Sequence, residues 1–514
     1  MNLLKPFISV SAMTLISRIL GFIRDVLIAN TFGASFYTDV FFVSFKIPNL
    51  LRRIFSDGAF SQAFIPILME YRSTKDKKSM EEFISSTFGF MIFIVLFFTI
   101  LGMFFSRFLI SLNAPGFLES LEKLTLSTHL LTIMFPYILF ISLSSFFSSI
   151  LYSWNYFFIP SLSPIFLNLS IIFFSSCCSS FFHPSIVALA WSVIIGGFFQ
   201  LLYQLPFLYN INMLVMPNIS WNNIGLIKVL KKIGPAVLGT SANQISLIIN
   251  TIFSSLLNAG SISWIYYADR LIEFPIGILG VSLNTILFTS LSKTHKKNKK
   301  SEYKKLLHWG LQISLILSIP SAVIIFILAK PIIIVLFQYG KFTYFDVLMT
   351  EQVLKYYSFG LISFILVKIL SSAFYSCEKT NIPMKISFFA LLLTQLMNPF
   401  LIFYFKHSGL ALSISISSWI NFLLLYFELY KRKMIFFNFR ELIFILKLII
   451  STLVMVVILL LVLNVMPLWD IGSFYNKIIR LIFIFFISGA VYLLMLYLLG
   501  IHILNFSYKI SRLS

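Results

Sequence analysis

Apolar runs of bilayer-spanning length recur from one end of this chain to the other, separated by short polar stretches. A helical span needs about 20 consecutive apolar residues. About fourteen segments fit that pattern, at approximately 7–31, 36–68, 84–110, 125–152, 160–180, 185–208, 227–257, 262–291, 309–329, 352–376, 382–405, 408–430, 442–466 and 477–501. No stretch shows the strict alternation in segments of about ten residues that a membrane β-barrel needs. The pattern therefore predicts an all-α polytopic membrane protein of about 14 transmembrane helices.

The loops add an orientation. One set is rich in lysine and arginine: Arg72 to Lys78, Lys228 to Lys232, Lys293 to Lys305, Lys379 with Lys385, and Lys431 to Arg440. The alternate set carries only Arg107, Lys123, Lys330, Lys341 and Lys406. The positive-inside rule puts the first set in the cytoplasm, and an even number of spans then puts both termini there, in agreement with Lys5, Lys509 and Arg512. The opening MNLLKPF has no small-residue cleavage site behind its apolar run and reads as an uncleaved first helix.

A weak internal repeat sets the expected domains. Gly33 and Pro48 are separated by the same interval as Gly260 and Pro275, and both stretches end in lysine-rich loops, STKDKKS and SKTHKKNKKS. The offset corresponds to six spans, so the halves run parallel. Two six-helix lobes, 1–208 and 227–430, enclosing a central cavity would give a secondary-transporter plan, with 442–501 lying outside the repeat as two extra helices. Chance similarity between apolar helices is the alternative.

Composition narrows the function. The 514 residues are 59% hydrophobic and 11% charged, too few polar groups to cover a soluble domain. The net charge of +21 sits mostly in loops, where topology accounts for it and nucleic acid does not. Cys177, Cys178 and Cys377 have no metal-ligand spacing and read as packing residues. The spans themselves carry charge: Arg18, Arg24 and Asp25; Asp39, Lys46, Arg52 and Arg53; Asp269, Arg270 and Glu273. An arginine at bilayer depth costs roughly 2.5–3.5 kcal/mol on insertion scales and persists where it faces a watery cavity or a charged ligand. Arg18 and Asp25 share a helical face about 10 Å apart, and Gly21 between them offers a bend. Pro48 and Asn49 interrupt the second span before Arg52. Asp269 and Glu273 share a face with Arg270 beside them. Arginine's planar fork suits phosphate oxygens, so the spans point to an anionic cargo; snorkelling anchors and structural ion pairs remain the alternatives. No phosphate-binding GxxxxGK[ST] loop, HExxH pair or carboxylate cluster for magnesium is present, so neither an enzyme nor an ATP-driven pump is expected, and no cofactor or metal.

Four stretches carry a resemblance: SRILGFIRD (17–25), PNLLRRIFSDGAFSQAFIP (48–66), YYADRLIEFPIGILGVSLNTILFTSLS (266–292) and FQYGKF (337–342). Across essentially its full length the chain resembles the MurJ (MviN) lipid II flippases of the multidrug/oligosaccharidyl-lipid/polysaccharide exporter superfamily. The resemblance implies alternating-access export of lipid II, the undecaprenyl-diphosphate-linked peptidoglycan precursor, across the bacterial cytoplasmic membrane by a monomer. It implies a cationic site of Arg18, Arg24, Arg52 and Arg270 with Asp39 and Glu273 as acidic partners, Arg24 and Arg270 holding the diphosphate. The last two spans would form a groove for the prenyl tail. Two departures stand out: Asp57 occupies a usual glutamate position, and Asn250, Gln395 and Asn398 are neutral where some members bind sodium through carboxylates. A flippase for another polyprenyl-diphosphate oligosaccharide, or a non-transporting scaffold, are the competing readings.

Overall fold

In hydrocarbon every backbone N–H and C=O must find its partner within the segment, which leaves the helix as the local solution for these runs. The computed structural model describes all residues but 1–3, 57–58, 219, 221–222, 436–438 and 503–514, and among those described it holds helices and no strand. Asp57, Lys509 and Arg512 thus fall outside the described residues, as does the side chain of Arg53.

Eleven stretches among the described residues are helical, long and apolar enough to cross a membrane. They are Lys77–Phe104, Leu121–Ser153, Phe158–Phe181, Val187–Asn210, Ser261–Lys296, Lys300–Ile327, Tyr344–Ser376, Asn381–Phe405, His407–Lys431, Phe439–Val465 and Phe474–Leu498, and each covers one expected span. The remaining three expected spans are helical as well, at Leu4–Phe32, Phe36–Ser56 and Ile224–Ser255. Each of those three carries charged or amide side chains along its length, so the count of fourteen stays an expectation for them.

Several spans are not the single rods that hydropathy suggests. Pro136 lies between helices Leu121–Met134 and Tyr137–Ser153. Pro275 ends Ser261–Pro275, and a wide turn of π-helix, Ile276–Val281, follows before Ser282–Lys296. Proline removes a donor and crowds the preceding turn, so the ladder must shift register there. Pro48, by contrast, lies inside Phe36–Ser56 without ending it. Gly33 and Gly260 share more than spacing: both take left-handed backbone, φ 71° and 94°, each just before the start of a charged helix, where a side chain would be strained.

The chain packs as two units, residues 1–263 with 339–342, and 264–338 with 343–514. In the first, Phe60, Phe64, Phe83, Phe146 and Phe147 form the core, joined by Val229 from helix Ile224–Ser255; Phe64 stacks on Phe83 with ring centres 5.4 Å apart. Between helices in a membrane such packing replaces the hydrophobic effect as the cohesive term. The same unit takes in the short loop of the FQYGKF motif. Lys341 donates its N–H to the Asn30 carbonyl, 2.8 Å. A Cβ on Gly340 would fall 2.0 Å from Asn30 Oδ1, and one on Gly33 2.5 Å from the Lys341 carbonyl oxygen, so two glycines let the backbones meet. In the second unit Leu448, Met455, Leu459, Ile484 and Leu496 of the last two spans pack on Ile316, Ile324 and Leu328, and Tyr492 donates to the Ile316 carbonyl, 2.9 Å. Their opposite faces leave Leu453, Leu461, Ile482 and Phe486 exposed.

Candidate functional site

Several of the charges inside the spans are held in small bonded groups. In the first unit Arg24 is 8% exposed and Asp25 1%. Arg24 donates to Asp25 Oδ1 through Nε, 2.9 Å, and through Nη2, 2.7 Å. Its Nη1 donates to Asn168 Oδ1, 3.1 Å, on helix Pro164–Phe173. Asn168 in turn donates its Nδ2 to the Ser17 carbonyl, 3.1 Å. A Cβ on Gly21 would lie 3.6 Å from that amide, an ordinary packing distance. The guanidinium is thus aimed by two neighbours, with its charge balanced by an adjacent carboxylate. A buried charge survives on such terms.

Sequence spacing paired Arg18 with Asp25, but the fold separates their surroundings: Arg18 is exposed two turns before the buried Asp25. Arg52 is half-buried and donates Nε to Asn49 Oδ1, 2.9 Å. Lys46, from the same helix, bonds Thr251 of Ile224–Ser255.

Asp39 occupies a different kind of place. It is buried and receives the N–H of Gly260 at 2.6 Å, the N–H of Ser263 at 2.8 Å and the Ser263 hydroxyl at 2.6 Å. Those donors open the helix Ser261–Pro275, whose first N–H groups have no partner within the helix. The carboxylate serves as its N-cap from a segment more than 200 residues away in sequence, and the partial positive charge of the helix start favours a carboxylate there.

In the second unit Arg270 and Glu273 form one group. Arg270 donates Nη1 to Glu273 Oε2 at 2.9 Å, and Nε and Nη2 to the Tyr266 hydroxyl at 3.3 and 3.2 Å. Its guanidinium lies over the Tyr266 ring, 5.1 Å from the centre. Unlike Arg24 it is partly open, with 36% of its side chain exposed and 50% of that of Glu273. The neutral residues on helix Asn381–Phe405 form their own pair: Asn398 donates to Gln395 Oε1, 2.9 Å, and accepts from Ser413 at 2.5 Å. Among the described residues no three His, Cys, Asp or Glu side chains gather as a metal site.

Asn168 and Tyr266 orient the arginines without standing out in the sequence, and Asp25, which the sequence pairs with Arg18, bonds Arg24 instead. A lone amide in the apolar stretch PIFLNLSIIF was the available signal for Asn168; Tyr266 stands one turn before Arg270.

Comparison with known proteins follows the same outline. The family described as "Lipid II flippase MurJ" matches residues 28–480. A relative from Buchnera aphidicola subsp. Acyrthosiphon pisum (strain APS), "Probable lipid II flippase MurJ", is 71% identical over 99% of this chain and 100% of its own length. "Lipid II flippase MurJ" of Burkholderia cenocepacia is 40% identical over 84% of each chain. Among solved structures, "Lipid II flippase MurJ, inward closed conformation" aligns with a TM-score of 0.78 and 27% identity over 95% of this chain and 98% of that one. A multidrug-resistance MATE transporter in an inward-facing conformation shares the fold at 12% identity, with a TM-score of 0.66 over 83% of this chain and 98% of its own.

Proposed function

The chain belongs to the lipid II flippase MurJ family, and on that premise we propose that it carries lipid II from the inner to the outer leaflet of the bacterial cytoplasmic membrane by alternating access, with Arg24 and Arg270 as ligands of the diphosphate. The observation that carries this reading is the oriented guanidinium of Arg24 inside a span, balanced by Asp25 and aimed by Asn168. Phosphate oxygens accept a guanidinium fork at two points, which fixes the head group's orientation as well as its charge. Arg270, half-open and held on Tyr266 and Glu273, exchanges a neutral partner for a charged one when phosphate arrives. Arg18 and Arg52 supply further positive charge. Glu273 orients Arg270, and Asp39 acts through the helix start that it caps. The exposed apolar faces of Phe439–Val465 and Phe474–Leu498 suit a prenyl tail that stays in lipid. Because the moving head group is anionic, the membrane potential biases the cycle by about 2.3 kcal/mol per charge per 100 mV.

Depletion of the protein tests this directly. Lipid II measured separately in each leaflet is expected to accumulate on the cytoplasmic side and to return to its normal distribution when this chain is re-expressed. An unchanged distribution on depletion would overturn the reading.

The protein works as a monomer with both termini in the cytoplasm. In a background free of Cys177, Cys178 and Cys377, a cysteine in 293–305 is expected to react with impermeant thiol reagents only from the cytoplasm. One in 467–473 is expected to react only from outside; labelling of both from one side would sink this topology.

A further inference from the structure

The two lysine-rich corners that mark the repeat differ in one respect that topology does not explain. Residues 70–82 hold four basic side chains (Arg72, Lys75, Lys77, Lys78) and four acidic ones (Glu70, Asp76, Glu81, Glu82). Half of these charges find partners within the first unit: Lys77 pairs with Glu81 at 3.6 Å, Glu70 with Lys228 at 3.0 Å, and Asp76 accepts from Ser79 at 2.9 Å. Residues 293–305, a stretch of equal length, hold seven lysines and one acid, Glu302, which is bonded to Lys299 at 2.8 Å. A balanced corner already satisfies the positive-inside rule, because that rule counts lysine and arginine and ignores acids. The second corner carries a surplus of six positive charges by composition, and its exposed lysines attract an anion from elsewhere.

The backbone keeps those charges crowded and close to the bilayer. Helix Ser282–Lys296 ends and helix Lys300–Ile327 begins within three residues. The corner is closed by Lys297 N–H to the Lys293 carbonyl, 3.2 Å, and Lys299 N–H to the Thr294 carbonyl, 3.1 Å, with Asn298 in left-handed backbone at φ 54°. Leu291, Tyr303, Leu306 and Leu307 bury themselves beneath it, so the corner cannot reach out as a tail would. Lys293, Lys296, Lys297, Lys299, Lys300 and Lys305 are exposed. Ile286 and Phe288 on the same helix are exposed apolar residues, and Lys296 lies only about 12 Å further along the axis than Phe288. That places the first ammonium groups about one to two turns beyond exposed apolar side chains, where the apolar stretch gives way to charge.

We propose that the corner 293–305 binds the phosphates of anionic phospholipids in the cytoplasmic leaflet, and so keeps an anionic lipid shell around this end of the second unit. Clusters of four to eight basic residues directly cytoplasmic of a span hold such lipids by charge. A soluble acidic protein needs a surface that stands clear of the membrane, which a three-residue connection does not supply.

The full chain, free of native cysteines, is labelled with a fluorophore at Ser301→Cys and placed in nanodiscs of phosphatidylcholine and phosphatidylglycerol. Brominated phosphatidylglycerol is expected to quench the label at least about threefold more than brominated phosphatidylcholine at equal mole fraction, given the attraction of each lysine to anionic lipid. The preference is expected to vanish in Lys293→Gln/Lys296→Gln/Lys297→Gln/Lys300→Gln. A label at Ser73→Cys, on the balanced corner, is expected to be quenched equally by both lipids. Equal quenching at position 301 in the native corner would overturn the proposal, as would a preference that survives the quadruple substitution or appears equally at position 73. Loss of the preference on adding inorganic phosphate at matched ionic strength would assign the site to a soluble anion, and overturn it too.

Discussion

Replacing Arg24 by alanine is expected to abolish growth of a strain that depends on this chain for lipid II export, with transport falling by more than about 100-fold. Two hydrogen bonds to a charged phosphate contribute about 1.5–3 kcal/mol each, and every 1.4 kcal/mol is about a factor of ten. The same change also strands Asp25, which is 1% exposed, and breaking a buried ion pair costs about 3–5 kcal/mol. Loss of growth alone would therefore confuse a missing ligand with a missing fold. Arg24→Gln with Asp25→Asn separates them, because the pair is neutralised and amides replace both partners. That double variant is expected to keep its thermal midpoint in detergent near the native value and still fail to transport. Arg24→Lys is expected to transport weakly: the charge is kept, but an ammonium on a flexible stem cannot bond Asp25, Asn168 and a phosphate in one plane. Arg270→Ala is expected to lose transport with little loss of stability, since Arg270 and Glu273 are open to solvent and exposed pairs contribute about 0–1 kcal/mol. Full transport by both alanine variants would remove these residues from the site.

Asp39→Ala is expected to be the most destabilising of the single substitutions at charged positions outside the Arg24 pair. It leaves the N–H groups of Gly260 and Ser263 without their acceptor, while the Ser263 hydroxyl keeps Thr38 Oγ1 at 3.0 Å. Each orphaned buried donor costs about 1–3 kcal/mol, so the thermal midpoint is expected to fall by several degrees. Asp39→Asn is expected to fall between the two, because the amide keeps Oδ1 as acceptor for Ser263 but turns an NH2 group toward the Gly260 N–H. A midpoint unchanged in Asp39→Ala would show that the cap contributes nothing.

Hydropathy was informative where one residue's surroundings are set by lipid. Every span that the fold makes both long and apolar had been read from the chain. The limits moved where a helix runs on past its apolar stretch: Lys77–Phe104 starts seven residues before the expected 84, and Lys300–Ile327 nine before 309, because charged first turns remain helical beyond the hydrophobic run. Breaks within spans were harder. Pro275 is visible in the chain, but the π-turn that follows it depends on hydrogen-bond register, which hydrophobic periodicity does not encode. The arginines were legible because their cost in hydrocarbon demands a reason. The amide that aims Arg24 was not, as Asn168 lies 144 residues from Arg24 and no local pattern links them, whereas Glu273 beside Arg270 was. Asp39 shows the limit most clearly: its charge was noticed, while its attachment to the start of a distant helix follows only from the fold.

That attachment has a consequence for how the chain is made. Ribosomes extend a chain at roughly 5–20 residues per second, and Gly260 comes 221 residues after Asp39. The second span thus reaches the insertion machinery roughly 10–45 s before its carboxylate has the N–H groups it will hold. During that interval water at the membrane's edge, or the translocation channel itself, must stand in for them. Slowing translation between the two segments lengthens the wait of this carboxylate for its donors.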